Sequence, residues 1–299
     1  MRIILDTDPG LDDAMTFVLA SVLTDIVGIT TVAGNVSLEN ATKNALALVS
    51  SLDMDCPVVS GAHINLSGDS PNAAHIHGVD GLGGIRLRAQ KRLASGSDAT
   101  EFLLRSSREV NHLWIVAIGP LTNIALAIGR DHNFVNRIAG ISMMGGSSTH
   151  GNVTSVAEFN VWADPEAADI VLNSGATIKM SGLNLTHQLK SSDSWLRDLP
   201  DTKRSNMFRN FARALHDTLE TLTGQREAAL HDPCALLALT HPSLFTFQSR
   251  RVDVELSGKH TRGMTIVESR PSRAQDTGNV LVGYELETNA VLQLIGSSL

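Results

Sequence analysis

Short runs rich in β-branched residues alternate along this chain with longer segments whose apolar residues recur at helical spacing, and that alternation limits the fold more than any other feature. Strands are expected at residues 2–6 (RIILD), 27–32 (VGITTV), 114–118 (WIVAI), 138–144 (IAGISMM) and 177–181 (TIKMS). Helices are expected between them at 13–21, 38–52, 99–110, 121–128 and 165–173. Strands separated by helices cannot pair as hairpins, so the pattern predicts an α/β fold: a mostly parallel open sheet flanked by helices. A further helix is expected across 204–221 and another beginning at 232, and residues 252–256 and 264–268 read as a few extra antiparallel strands. No repeat or low-complexity linker divides the 299 residues, so a single domain, 1–299, is expected. The least regular stretch, 61–97, is rich in Gly, Ser and His and reads as a long functional loop.

In open α/β sheets, ligands gather beyond the carboxyl ends of the strands. The polar and glycine-rich segments of this chain fall there. Asp6-Thr7-Asp8 follows the first strand, Gly34-Asn35 the second, Gly119-Pro120-Leu121-Thr122-Asn123 the run WIVAI, and Gly145-Gly146 the run ISMM. One convergent site is therefore expected on one edge of the sheet.

The first of these segments is the most unusual. DTDPGLDDA sets four carboxylates, Asp6, Asp8, Asp12 and Asp13, between an apolar strand and an apolar helix. Like charges at this density raise one another's pKa unless a cation or ligand uses them. Capping of the following helix accounts for Asp12 or Asp13 and leaves the others over. Clustered oxygen ligands at a strand end suit Ca²⁺ or Mg²⁺. Asp-x-Asp after a strand also opens phosphotransferases of the haloacid-dehalogenase type, but the Lys and acidic pair that chemistry requires have no clear counterpart here. Gly145-Gly146 lacks a GxGxxG or P-loop pattern around it.

Charge narrows the partners. Lys plus Arg total 24 against 31 Asp plus Glu, a formal charge of −7, which argues against a nucleic-acid backbone or an anionic membrane surface. No apolar run reaches the length of a membrane span, the apolar start Ile3-Ile4-Leu5 is too short for a signal peptide, and two cysteines give no disulfide framework. A cytoplasmic protein is expected.

The block DTDPGLDDA resembles the signature of the inosine-uridine-preferring nucleoside hydrolases. So do, in the same order, TTVAGN (30–35), HIHG (75–78), GPLTNIA (119–125), MMGG (143–146), GNVTSVAEFN (151–160), DPEAA (164–168) and HDPC (231–234). The likeness runs from residue 3 to about residue 270. It implies a Ca²⁺-dependent hydrolase that cleaves the N-glycosidic bond of ribonucleosides in nucleoside salvage, and a homodimer or homotetramer. Carried over position by position, it implies that Asp8 is both metal ligand and general base. Asp13, the backbone carbonyl of Thr122 and Asp232 complete the cation site. Asp12 and Asn35 hold the ribose 2′-hydroxyl side, Asn160 the 3′-hydroxyl, and Asn152 and Glu158 the 5′-hydroxyl, while Met144 lines the sugar pocket and Asp6 orients the loop.

The residue types suit that chemistry, since an oxocarbenium-like transition state calls for carboxylates about the sugar and an activated water. His231-Asp232-Pro233 alone reads as a helix start with Asp as N-cap and Pro at N1. With the resemblance, His231 becomes the candidate acid for the leaving base, its ordinary pKa range suiting the task. His77 is placed near the substrate, with a loop hydrogen bond as the alternative. His63, His112, His132, His150, His187, His241 and His260 carry no comparable signal and read as surface or structural, and Cys234 as a core residue. Where some relatives carry base-stacking tyrosines on the helix before HDP, this chain has none, its one tyrosine being Tyr284. His216, Leu219 and Glu220 fall in that neighbourhood, which leaves purine and pyrimidine nucleosides both open. The rival readings are a metal-dependent phosphohydrolase and a nucleoside-binding sensor without turnover.

Overall fold

The structure is a computed structural model that describes residues 1–69, 72–87, 93–273 and 278–299. Its strands run β1 (Arg2–Thr7), β2 (Asp25–Thr31), β3 (Val58–Ser60), β4 (Trp114–Ala117), β5 (Gly140–Met144), β6 (Ile178–Ser181), β7 (Lys190–Ser192), β8 (Glu227–Ala229), β9 (Phe245–Arg250), β10 (Val252–Val254), β11 (Thr265–Val267) and β12 (Val280–Leu286). Eight form one sheet in the order β3-β2-β1-β4-β5-β6-β12-β9. Every neighbouring pair is parallel except β12 with β9. The expected α/β architecture is present, with β10–β11 and β7–β8 as two small antiparallel pairs.

Period-two alternation explains how β1 anchors the core. Ile3 and Leu5 point into one apolar cluster and Ile4 into the other, and all three are fully buried. The first cluster is closed by helices Leu11–Leu23, Lys203–Thr223 and His231–Thr240, the second by Ala99–Glu109, Thr122–Arg130 and Pro165–Leu172. Phe17, Phe208 and Phe211 lie fully buried in the first layer, each contributing about 1.5–3 kcal/mol through burial.

Some elements had weak signals. The five expected strands and the interstrand helices are present with ends shifted by a few residues. Strands β3, β7, β8, β9 and β12 were not expected. Three of these are only three residues long, and β9 is an edge strand whose exposed positions break any apolar run. Within the expected 61–97 loop, helix Ala74–His77 forms, and residues 70–71 and 88–92 lie outside the described residues.

The chain connects β1 onward to β2 and β3 on one side of the sheet and returns to β4, β5 and β6 on the other. The topological switch point thus lies between β1 and β4, where Asp6 pairs in register with Ala117. The motif following β1 and the turn following β4 meet beyond that point.

Candidate active site

The opening motif folds around its own carboxylates. Helix Leu11–Leu23 is N-capped by Gly10, whose N–H donates to Asp13 Oδ2 at 2.8 Å, so Asp13 satisfies one of the free amides of the helix start. Thr7 Oγ1 donates to Asp13 Oδ1 at 2.5 Å, and Asn35 Nδ2 donates to Oδ2 at 3.1 Å. Asp8 accepts from the backbone N–H of Asn35 at 2.6 Å. It sits so close to two turns that a Cβ at Gly34 would overlap its Oδ2 and one at Gly119 would lie 2.6 Å from its Oδ1. Those glycines are where the backbone after β2 and after β4 approaches the carboxylate. Asp6 lies deeper, accepting from Thr30 Oγ1 and, at 2.8 Å, from Asn123 Nδ2.

Three carboxylate oxygens in this cluster, Asp6 Oδ2, Asp8 Oδ1 and Asp12 Oδ1, are buried without a hydrogen-bond partner. Oxygens of Asp12, Asp13 and Asp232 lie within 4.8 Å of one another. Burial pushes the Asp12 and Asp13 carboxyls up to about 6; burial and then Asp13 raise Asp8 further, and burial and then Asp12 raise Asp232. Hard, anionic oxygen donors left without partners in a desolvated cluster are what a divalent cation requires, and the residues fit one.

The cluster floors a cavity of about 530 Å³. Asp12, Asn35, His77 and Asp232 line it at the cation end, and Met144, Asn152, Glu158 and Asn160 beside them. Asp8 and Asp13 are fully buried beneath that lining. Asn160 Nδ2 donates to the carbonyls of Ile118 at 3.2 Å and Met144 at 3.1 Å, which leaves its Oδ1 as an acceptor. Asn152 Oδ1 accepts from Phe159 N at 2.9 Å, which leaves its amide N–H groups as donors. Glu158 N-caps the helix Phe159–Ala163 and also accepts from Gly146 N at 2.8 Å. Burial raises its carboxyl to about 7 despite those amides. Thr122 stands apart from the lining, its hydroxyl donating to Asp164 Oδ2 at 2.6 Å.

The histidines correct several expectations. Leu230 is the N-cap of helix His231–Thr240, so Asp232 is the second helical residue and Pro233 the third. Asp232 is thereby free of the capping duty and faces the cavity. His231 is half-buried, its Nδ1 lies 2.7 Å from Thr186 Oγ1, and desolvation first, then His187, lower its pKa to about 3. The ordinary histidine range expected for it does not hold: the ring is neutral. If the Thr186 hydroxyl donates to Nδ1, the ring carries its hydrogen on Nε2. His77 is likewise neutral, lowered to about 4 by burial, and its Nδ1 accepts from Leu11 N at 3.2 Å. It therefore makes the loop hydrogen bond and lines the cavity as well.

His187, read from sequence as surface or structural, lines the cavity, edge-on to His231 at 5.3 Å and stacked on His150 at 5.2 Å. Its signal was the polar stretch that follows β6 on the same sheet edge as the other motifs. His216 instead points away, fully buried against Ser191 Oγ at 2.8 Å and Asp193 at 3.3 Å. Leu215, Leu219 and Thr223 are the residues that helix Lys203–Thr223 presents to the cavity, while Glu220 pairs with Arg226 outside it. Cys234 is a fully buried core residue whose thiol burial pushes up, as expected.

Comparison with known proteins agrees with this geometry. The family model described as inosine-uridine preferring nucleoside hydrolase matches residues 3–293. Uridine nucleosidase 1 of Arabidopsis thaliana is 40% identical over 291 residues, covering 95% of this chain and 86% of that protein. Non-specific ribonucleoside hydrolase RihC of Escherichia coli O127:H6 is 37% identical over 306 residues, covering 100% and 98%. Among solved structures, a purine-preferring ribonucleoside hydrolase from Gardnerella vaginalis superposes with a TM-score of 0.91 at 30% identity over 100% of this chain and 98% of that one. With its sheet-edge aspartate cluster and a match across nearly its whole length, the chain belongs to the inosine-uridine preferring nucleoside hydrolase family.

Proposed function

We propose that this nucleoside hydrolase cleaves the N-glycosidic bond of purine and pyrimidine ribonucleosides with Ca²⁺ as its cation. One observation carries the reading: partnerless, buried aspartate oxygens floor a cavity whose wall offers amide acceptors and donors to a polyhydroxylated ligand. Asp8, Asp13 and Asp232 hold the ion through carboxylates. Thr122, its hydroxyl engaged by Asp164, contributes its main-chain carbonyl. When bound, Ca²⁺ supplies the positive charge that keeps these carboxylates ionised and acidifies the attacking water. Asp8, desolvated and otherwise inclined to hold its proton, is then the base that deprotonates that water.

The remaining roles are those the family resemblance implies, and the lining residues supply polar groups for them. Asp12 and Asn35 take the 2′-hydroxyl side, Asn160 accepts from the 3′-hydroxyl, and Asn152 with Glu158 takes the 5′-hydroxyl. Met144 packs on the sugar. The carboxylates on the sugar stabilise developing positive charge at the anomeric carbon. His231, neutral and paired at Nδ1 with the Thr186 hydroxyl, offers a hydrogen bond from Nε2 to the departing base, whose proton comes from solvent. His77 lies against the same substrate. A phosphate substrate is disfavoured: Lys190 is the only lysine or arginine lining the cavity among the described residues, and it lies 3.7 Å from Glu227.

A homodimer or homotetramer in a cytoplasmic setting completes the reading. No helix among the described residues is long and apolar enough to cross a membrane, and Cys56 and Cys234 are buried. The test is ribose release from a panel of ribonucleosides, with chelator and with Ca²⁺ restored. Release that stops with chelator and returns with Ca²⁺ is expected. A folded protein that binds nucleosides without releasing ribose would favour the sensor reading.

A further inference from the structure

The segment DPEAA takes no part in the chemistry above, yet its aspartate is joined to the cation site. Asp164 is fully buried and joins two distant segments to the start of its own helix on one carboxylate. Its Oδ1 accepts from Ala167 N at 3.1 Å, capping the helix Pro165–Leu172. Its Oδ2 accepts from Leu66 N at 3.0 Å, in the long loop, and from Thr122 Oγ1 at 2.6 Å. The helix cap needs only one oxygen; the second is aimed at the first residue of the helix Thr122–Arg130. Asn65 reinforces the joint by donating to the carbonyl of Ala163 at 2.8 Å.

The other side of the same helix start is gripped as well. Asn123 Nδ2 donates to Asp6 Oδ1 at 2.8 Å and to the carbonyl of Thr31 at 3.0 Å, and its Oδ1 accepts from Ala62 N at 2.9 Å. Adjacent residues are thus tied in two directions, Asn123 to β1 and β2, Thr122 to Asp164. The turn between them and β4 is the one whose Gly119 presses against Asp8. With Asn123 alone, the helix start could pivot about that residue; the Thr122–Asp164 bond removes the pivot. A hydrogen bond from a buried hydroxyl to a carboxylate is short and strong enough to do so.

We propose that Asp164 is a positioning residue for the cation site, acting through the Thr122 hydroxyl to fix the main chain of the 119–122 turn against Asp8. The inference rests on the cation reading above, and the test separates the two. Ca²⁺ binding to the full-length protein is measured by calorimetry for wild type, Thr122→Ser, Thr122→Val and Asp164→Asn, with the melting temperature of each in chelator. Thr122→Val removes the hydroxyl while Asp164 Oδ2 keeps its donor at Leu66, so the fold has no orphaned carboxylate. Asp164→Asn retains an oxygen for the helix cap.

Thr122→Val is expected to weaken Ca²⁺ binding about tenfold, Thr122→Ser to restore it to within about twofold, and Asp164→Asn to weaken it comparably. The double variant Thr122→Val/Asp164→Asn is expected to bind no worse than the weaker single one, because both break the same link. A purely structural role would lower the melting temperature in chelator and leave the affinities alike. Val and wild type binding Ca²⁺ equally would overturn the inference. A folded wild-type protein that binds no Ca²⁺ would overturn the cation reading and the inference with it.

Discussion

Asp8 shows at a single residue what this site asks of the chain. Its Oδ2 is held by one backbone amide, its Oδ1 has no partner, and two glycines give it room. Burial and the neighbouring Asp13 raise its pKa well above the ordinary carboxylate value. A carboxylate in such surroundings opposes folding and is kept for what it does. Asp8→Asn is accordingly expected to lower kcat by about 10³-fold while leaving the melting temperature in chelator equal or higher. Steady-state kinetics paired with a thermal scan in chelator checks this; a variant with near-normal kcat sinks the base assignment. At this scale the sequence was informative about identity. Four aspartates in eight residues could be read as a site directly. Which oxygens lack partners could not, because Thr30 and Asn35 reach Asp6 and Asp8 only after β1 and β2 pair.

Among the elements, helix Lys203–Thr223 lines one side of the cavity. Its spacing placed a helix there from sequence, and the structure extends it by a residue or two at each end. Of the residues placed in that neighbourhood, His216, Leu219 and Glu220, only Leu219 lines the cavity; His216, a polar ring with partners in Ser191 and Asp193, is satisfied behind the wall. Leu215, Leu219 and Thr223, at spacings of four, form the lining stripe. In the proposed function this face, without an aromatic ring, would contact the base through Leu215 and Leu219 by shape. Leu219→Ala is expected to raise KM for ribonucleosides about tenfold, with a spread among bases, and to leave Ca²⁺ affinity unchanged. Kinetics across a base panel with a parallel Ca²⁺ titration decides it; uniform KM values near wild type would remove this helix from base recognition.

For the whole molecule, the aspartate cluster links cation binding to pH. Asp12 and Asp13 have folded-state values of about 6, and Asp8 and Asp232 are raised well above the usual range, against an unfolded value near 4. A carboxyl whose pKa is raised on folding binds more protons in the native state. The stability of the cation-free protein therefore falls as pH rises from about 4 through the folded-state values. A bound dication reverses that penalty once the groups ionise. The gain in melting temperature from saturating Ca²⁺ is expected to be small at pH 5 and to grow steadily toward pH 8. Thermal scans with Ca²⁺ and with chelator across that range test it, and a gap that does not change with pH contradicts the cluster as the binding site.

What the sequence determined by itself follows from local rules. Strand–helix alternation gave a parallel sheet, and the position of each polar motif after a strand gave one edge, because period-two and 3.6-residue patterns are written in neighbouring residues. DTDPGLDDA and its companion motifs pointed to the family. Tertiary structure alone decided the rest. It set the strand order, with the switch point between β1 and β4, and it brought Asp164 to Thr122 across 42 residues of chain. It also faced His187 inward and His216 away. Burial, finally, left His231 neutral, with a pKa near 3. Desolvation and partner choice depend on atoms supplied by distant segments, and no local pattern encodes them.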